Sequence, residues 1–282
     1  MRAARAAAIA KRLGLTARNT LGIGLWRNAA RPILNAIQIA CPAVRAALIT
    51  GGSSGIGLAI AKMLGDEGYG VTISARKPDK LEAAAEGLKG DGLEEVQAIP
   101  ANMSEEDDIK ALAEKHRERF GRCDVLVNNA GLGIGGAIAD AETKKLDMQL
   151  DVNLRAVYLM TRECIPMLKE AGGEHGKALI VNTASIAGKF GQGWLAAYSA
   201  TKFGVVGLTQ AMHRELSNEG IAATALCPGF VDTNMTEWVR GEVDQENMIQ
   251  PSDIADAVRY LLHTSPYCIV PEIQFIRPGD TN

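Results

Sequence analysis

A doubly wound α/β domain, built on a seven-stranded parallel sheet with helices on both faces, is the fold class this sequence predicts for residues 46–282. Three observations lead there. Short β-rich runs alternate with longer helical patterns from Ala46 onward. A glycine-rich turn, Thr50-Gly-Gly-Ser-Ser-Gly-Ile-Gly57, stands between the first such run and the first helical pattern. No internal repeat or low-complexity linker divides the stretch, so it reads as one unit.

In chain order the strands are expected over residues 47–50 (Ala-Leu-Ile-Thr), 70–74 (Gly-Val-Thr-Ile-Ser), 95–99 (Glu-Val-Gln-Ala-Ile) and 124–128 (Asp-Val-Leu-Val-Asn). Three more follow over 177–182 (Lys-Ala-Leu-Ile-Val-Asn), 222–226 (Ala-Ala-Thr-Ala-Leu) and 273–276 (Ile-Gln-Phe-Ile). Apolar runs this short, each bordered by helical patterns, suit strands covered on both faces. The helix after the first strand carries Leu58, Ile60, Met63 and Leu64 toward the sheet.

With 282 residues, 47% of them hydrophobic, the chain has ample core and is not disordered as a whole. Its formal charge of −3 argues against nucleic acid as the main partner, which calls for a basic face. The charge is unevenly spread. Residues 1–45 contain Arg2, Arg5, Lys11, Arg12, Arg18, Arg27, Arg31 and Arg45 and no acid, leaving −11 for residues 46–282. This Ala-rich, Arg-rich extension has the composition of an organellar transit peptide or of an amphipathic helix lying on a membrane surface; an extension without a role is the third reading. The five cysteines are scattered without metal-ligand spacing, which makes a reducing, cytoplasmic compartment the default, or a mitochondrion or plastid if residues 1–45 are a transit peptide. His116, His175, His213 and His263 form no ligand pattern and are expected in surface or capping roles, and no metal site is proposed. No apolar run reaches eighteen residues, so no transmembrane segment is expected.

The glycine turn is the cofactor end. Gly51, Ser53, Ser54, Gly55, Ile56 and Gly57 lie between a strand and a helix, where glycines allow close approach and the helix N-terminus offers unpaired N–H groups to a pyrophosphate. The second strand ends in Ser74-Ala-Arg-Lys77, without the acidic residue that would hold a ribose 2′-hydroxyl. Arg76 suits a 2′-phosphate instead, so NADP(H) is preferred to NAD(H).

Tyr198 and Lys202 are four residues apart, which places a phenol and an ammonium on one helical face. A nearby cation in a desolvated site is expected to favour the phenolate and lower the phenol pKa. Taken together and in order, the glycine loop, Asn128-Asn-Ala-Gly131, Ser185, Tyr198-x-x-x-Lys202 and Pro228-Gly-Phe-Val-Asp-Thr233 resemble the short-chain dehydrogenase/reductase family, whose fold is Rossmann-like. Ser185 stands 13 residues before the tyrosine, as in that pattern. The resemblance implies that Tyr198 exchanges a proton with a carbonyl or alcohol oxygen, Lys202 tunes it and binds the nicotinamide ribose, and Ser185 hydrogen-bonds the same oxygen. Asn153 would hold a water that links the lysine to solvent. Asn129, Ala130 and Gly131 would border the cofactor, as would Pro228, Gly229 and Val231, with Thr233 on the nicotinamide carboxamide. A homodimer or homotetramer is implied on the same ground.

Two departures narrow the resemblance. Asn102, in Ala101-Asn-Met-Ser104, replaces the aspartate that many members use for adenine, and residues 268–280 lack the Thr-Gly-Gln and Asn-Gly-Gly pattern of oxoacyl-carrier reductases. The leading expectation is therefore an NADPH-dependent, reversible reductase of a ketone or aldehyde. A 3-oxoacyl-carrier-protein-type reductase is the alternative, and a non-catalytic dinucleotide-binding regulator the third. Residues 230–250, where Met235, Trp238, Val239, Met248 and Ile249 mingle with acids, read as a lid whose apolar members either line a pocket or pack on the core.

Overall fold

The computed structural model describes residues 44–239 and 247–280. The basic extension falls outside the described residues except for its last two positions, as does part of the expected lid. Seven strands form the sheet: β1 (Ala46–Thr50), β2 (Gly70–Ala75), β3 (Val96–Pro100), β4 (Val125–Asn128), β5 (Ala178–Thr183), β6 (Ile221–Pro228) and β7 (Glu272–Phe275). All are parallel, in the order β3-β2-β1-β4-β5-β6-β7. Each expected strand is present, with ends displaced by a residue or two. β6 runs on through Pro228, a residue with no N–H to donate, which closes the strand.

Helices α1 (Gly55–Asp66), α2 (Pro78–Gly90), α3 (Glu106–Phe120), α4 (Thr143–Leu150), α5 (Ala156–His175), α6 (Ala196–Leu216) and α7 (Pro251–His263) connect the strands. The alternation along each strand divides the core in two. Ala47, Ile49, Val71, Ile73, Val125, Val127, Leu179 and Val181 pack with Ile60, Leu64, Leu81 and Val258 of α1, α2 and α7. Leu48, Leu126 and Ile180, one residue out of phase, pack with Ile109, Met160, Leu168 and Met212 of α3, α5 and α6. Helices thus cover both faces, and no described helix is long and apolar enough to cross a membrane.

His116 departs from its expected surface role. It is fully buried, its Nδ1 2.7 Å from Thr72 Oγ1. Ile109, Leu112 and Ala113 precede it at helical spacing, so His116 continues the sheet-facing stripe of α3. Cys123, Cys164 and Cys227 are likewise buried as free thiols, while Cys268 is exposed.

At the amino edge of the sheet, Asp124 secures the starts of β1 and β4. It accepts from Ala46 N at 2.8 Å and takes both Nε (2.8 Å) and Nη2 (2.6 Å) of buried Arg122. Asp124→Ala would leave the buried Arg122 guanidinium with Glu174 as its remaining partner and the Ala46 N–H unpaired, and is expected to lower unfolding free energy by about 3 kcal/mol in urea titration.

Candidate active site

In a parallel sheet every strand delivers its carboxyl end to one edge. The glycine loop follows β1, Arg76 follows β2, Asn102 follows β3, Asn129 to Gly131 follow β4, Ser185 follows β5, and Gly229 to Thr233 follow β6. Residues scattered over more than 150 positions are thereby gathered along that edge. The strand order reverses at β1 and β4, and that is where an open α/β sheet leaves a crevice.

Threonine and asparagine side chains hold the crevice in shape. Thr50 Oγ1 accepts from Asn129 N (3.0 Å) and Ala130 N (3.1 Å). Asn129 Nδ2 donates to Thr50 O (3.3 Å) and Gly51 O (3.2 Å), and its Oδ1 accepts from Thr183 Oγ1 at 3.2 Å. The two turns that flank the switch point are therefore tied together and to β5. A Cβ at Gly57 would stand 2.3 Å from Gly51 O, so no side chain fits there. Gly55 has φ +54, and a Cβ on it would meet Thr233 Cγ2 at 2.9 Å; the segment after β6 thus closes over the glycine loop. Ser54 is the N-cap residue of α1 and its side chain makes no capping bond, leaving the first N–H groups of α1 without that partner. Ser53 and Ile56 are half-buried beside it. A groove of about 580 Å³ opens on the outer side of this loop, with Ser54, Gly55 and Thr233 on its inner lip; Tyr198 and Lys202 are not among its walls.

Deeper in lies the second cluster. A π-helical turn, Asp151–Arg155, joins α4 to α5 and turns Asn153 inward to 1% exposure. Asn153 Oδ1 accepts from Leu132 N and its Nδ2 donates to Leu132 O, both at 2.8 Å, while Nδ2 also reaches Thr201 Oγ1 at 3.2 Å. One amide therefore fixes the strand exit of β4 and touches α6. Lys202 Nζ donates to Thr183 O at 2.7 Å and lies 5.6 Å from the centroid of the Tyr198 ring. Positions 131 and 133 border both groups: a Cβ at Gly131 would be 3.7 Å from Lys202 Nζ, and one at Gly133 would be 3.8 Å from the Tyr198 ring. Ser185 Oγ accepts from Ala187 N at 3.1 Å and donates to Pro228 O at 3.4 Å, so the serine caps a short helical turn as well as facing the tyrosine.

Burial governs the electrostatics. It pushes the Lys202 ammonium down to about 8 and the Tyr198 phenol up, the latter partly opposed by a hydrogen bond with Ser185. This departs from the expectation that Lys202 would draw the phenol down. The ammonium donates its short hydrogen bond to Thr183 O, and the phenol is governed by desolvation and by Ser185. The result is a neutral phenol at neutral pH, the form that gives up a proton.

A family model described as short chain dehydrogenase matches residues 45–244. The chain belongs to that family. The 3-oxoacyl-[acyl-carrier-protein] reductase FabG of Staphylococcus aureus (strain Mu50 / ATCC 700699) is 36% identical over 227 residues, 77% of this chain and 90% of its own. An actinorhodin polyketide ketoreductase variant solved with NADPH is 36% identical, with a TM-score of 0.74 over 82% of this chain and 95% of that one. A 3-ketoacyl-(acyl-carrier-protein) reductase from Brucella melitensis, solved with NADH, is 33% identical with a TM-score of 0.74 over 82% and 96% of the two chains. The protein is thus a short chain dehydrogenase with a Rossmann-like fold.

The remaining expected positions are placed as follows. Arg76 is exposed at the end of β2 and makes no hydrogen bond or ion pair among the described residues. Asn102 is engaged locally: its Oδ1 accepts from Ser104 N at 3.3 Å, and its backbone N–H donates to Asp108 Oδ2 at 2.8 Å. Val231 is buried and bridges Ile249 in parallel, with Asp232 N donating to Ile249 O at 2.9 Å. That staple closes the base of the expected lid, and it sends Met248 and Ile249 into the interior rather than into a pocket, while Met235 is exposed. Sequence reasoning missed Thr50, Thr183, Thr201 and Trp194. The threonines carry no motif of their own, since their role is set by which backbone groups the fold brings near. Trp194 is the one described non-glycine residue with positive φ (65°), a conformation costing roughly 1–2 kcal/mol.

The Lys202 shift has a consequence for stability. Its folded-state pKa is below the unfolded value, so the unfolded chain binds more protons between pH 8 and 10.5, and this group's contribution to stability rises with pH over that window. Lys202→Met is expected to match or exceed the wild-type unfolding free energy at pH 7, by at most about 3 kcal/mol, and to lose that advantage at pH 10, as urea titration at the two pH values would show.

Proposed function

We propose that this short chain dehydrogenase is an NADPH-dependent reductase of a ketone or aldehyde, working reversibly as an alcohol dehydrogenase. The observation that carries the reading is the convergence of a half-buried Tyr198, whose phenol desolvation pushes up, with Ser185 and Lys202 beside a backbone cradle too tight for side chains at Gly57. Such a cradle at the N-terminus of α1 fits a dinucleotide pyrophosphate, and the exposed Arg76 fits a 2′-phosphate. Asn129, Ala130, Gly131, Pro228, Gly229, Val231 and Thr233 would line the rest of its path, and Asn102 has its Nδ2 left for adenine. The reduced nicotinamide supplies the hydride when bound.

The protein supplies the proton and the polarisation. Tyr198 donates its hydroxyl proton to the carbonyl oxygen as charge develops there, and the Ser185 hydroxyl hydrogen-bonds the same oxygen. Lys202, protonated below about pH 8, stabilises the tyrosinate that remains and holds the ribose. In the reverse direction Tyr198 accepts the proton from an alcohol. Asn153 keeps the Leu132 backbone and α6 at a fixed separation, which holds the donor in line.

A 3-oxoacyl-carrier-protein-type reductase is the second reading, favoured by the 36% identity to the Staphylococcus aureus enzyme. NADPH absorbance with free ketones against carrier-linked 3-oxoacyl groups separates the two. Under the leading reading, Tyr198→Phe lowers kcat at least a thousandfold while NADPH still binds in calorimetry; full activity in that variant overturns the assignment. Arg76→Ala is expected to raise Kd for NADPH ten- to a hundredfold and leave NADH within threefold, and equal effects on both would remove the 2′-phosphate contact.

A further inference from the structure

We infer that Trp194 is a specificity-determining residue that selects ketones carrying a flat ring beside the carbonyl. The inference rests on the reductase reading and names its substrate class. Gly133 and Gly135 are two residues apart on the segment leaving β4, so their Cα atoms are at most ~7 Å apart. The Tyr198 ring lies against the first: a Cβ there would be 3.8 Å from Cδ2 and Cε2. The indole of Trp194 lies against the second so closely that a Cβ on Gly135 would fall 2.1 Å from Cζ3 and 2.2 Å from Cε3. The indole and the Tyr198 ring therefore pack on the same short segment, two residues apart.

Its placement is held from several sides. Trp194 O accepts from Gly136 N at 2.8 Å, and Gln192 N donates to Ser199 Oγ at 3.1 Å, which ties the turn before the indole to α6. Backbone strain at a bulky residue persists only where surrounding contacts enforce it, and such positions concentrate at ligand clamps. Trp194 nonetheless keeps 60% of its surface exposed, and Ile138 (78%) and Phe190 (45%) on the same two segments are exposed as well. Neither residues 132–139 nor residues 190–198 include a charged side chain. A wide aromatic face, apolar neighbours and no charge beside a proton-donating phenol are matched by an uncharged substrate that stacks a planar ring on the indole.

The test compares 1-tetralone with 2-decanone, a ring ketone and a linear ketone of equal carbon number, using NADPH. The wild type is expected to favour 1-tetralone at least tenfold in kcat/KM. Trp194→Gly, which accommodates the positive φ and so is expected to fold, should reduce that ratio at least tenfold, mainly through KM. Gly135→Ala should shift the ratio in the same direction, because its methyl displaces the indole. Binding gives an independent readout: 1-tetralone should quench tryptophan fluorescence in the NADPH complex of the wild type and not in Trp194→Phe. A ratio within twofold of wild type in Trp194→Gly, or equal quenching in Trp194→Phe, overturns the inference and leaves the reductase reading intact. A wild-type protein that reduces no carbonyl compound overturns both.

Discussion

The bidentate grip of Asn153 on the backbone of Leu132 is the contact on which the site depends. Two 2.8 Å bonds from one buried amide set where the chain goes after β4, and a third contact to Thr201 sets how far that chain stands from α6. Gly131 faces Lys202, Gly133 faces Tyr198 and Gly135 faces Trp194 because of that separation. An asparagine can do this because its side chain offers a donor and an acceptor in one plane, matching a peptide unit. The π-helical turn has the same purpose: one additional residue in the turn re-aims a side chain that a regular helix would carry elsewhere.

A polar lattice behind the site extends the same logic. Asn128 donates to Thr161 (3.1 Å) and Asn182 (2.9 Å), and Asn182 donates to Thr209 (2.9 Å). These groups connect β4, β5, α5 and α6 at depths where an unpaired amide would be destabilising, so the network specifies one arrangement of the elements that hold Ser185, Tyr198 and Lys202. Burial also decides the chemistry. The same desolvation keeps the phenol protonated and brings the ammonium toward neutrality, so donor and cation are poised against each other instead of one simply ionising the other.

Much of the fold is legible in the sequence. Seven strands were readable because short apolar runs covered on both faces need no tertiary information to be recognised, and the differences lie at strand ends, as at Thr183 and Pro228, which belong equally to strand and site. His116 was misread for a converse reason: its polarity argued for the surface, whereas its position in the Ile109, Leu112, Ala113 stripe carried it to the core. The proposed catalytic set, Asn153, Ser185, Tyr198 and Lys202, came from spacing and resemblance. Thr50, Thr183 and Trp194 were not legible, since a threonine's partners depend on residues 54 to 80 positions away and the seat of the tryptophan on a glycine 59 positions earlier.

By itself the sequence determined the α/β class, the family, the glycine cradle and the candidates proposed for proton transfer, because each follows from local pattern, fixed spacing or resemblance. Only the tertiary structure decided the protonation bias of Tyr198, the dual engagement of Ser185, the inward packing of Met248 and Ile249, and the seat of Trp194 on Gly135. Desolvation and steric fit are properties of what surrounds a residue, and those surroundings exist once the parallel sheet has gathered distant strand ends along one edge.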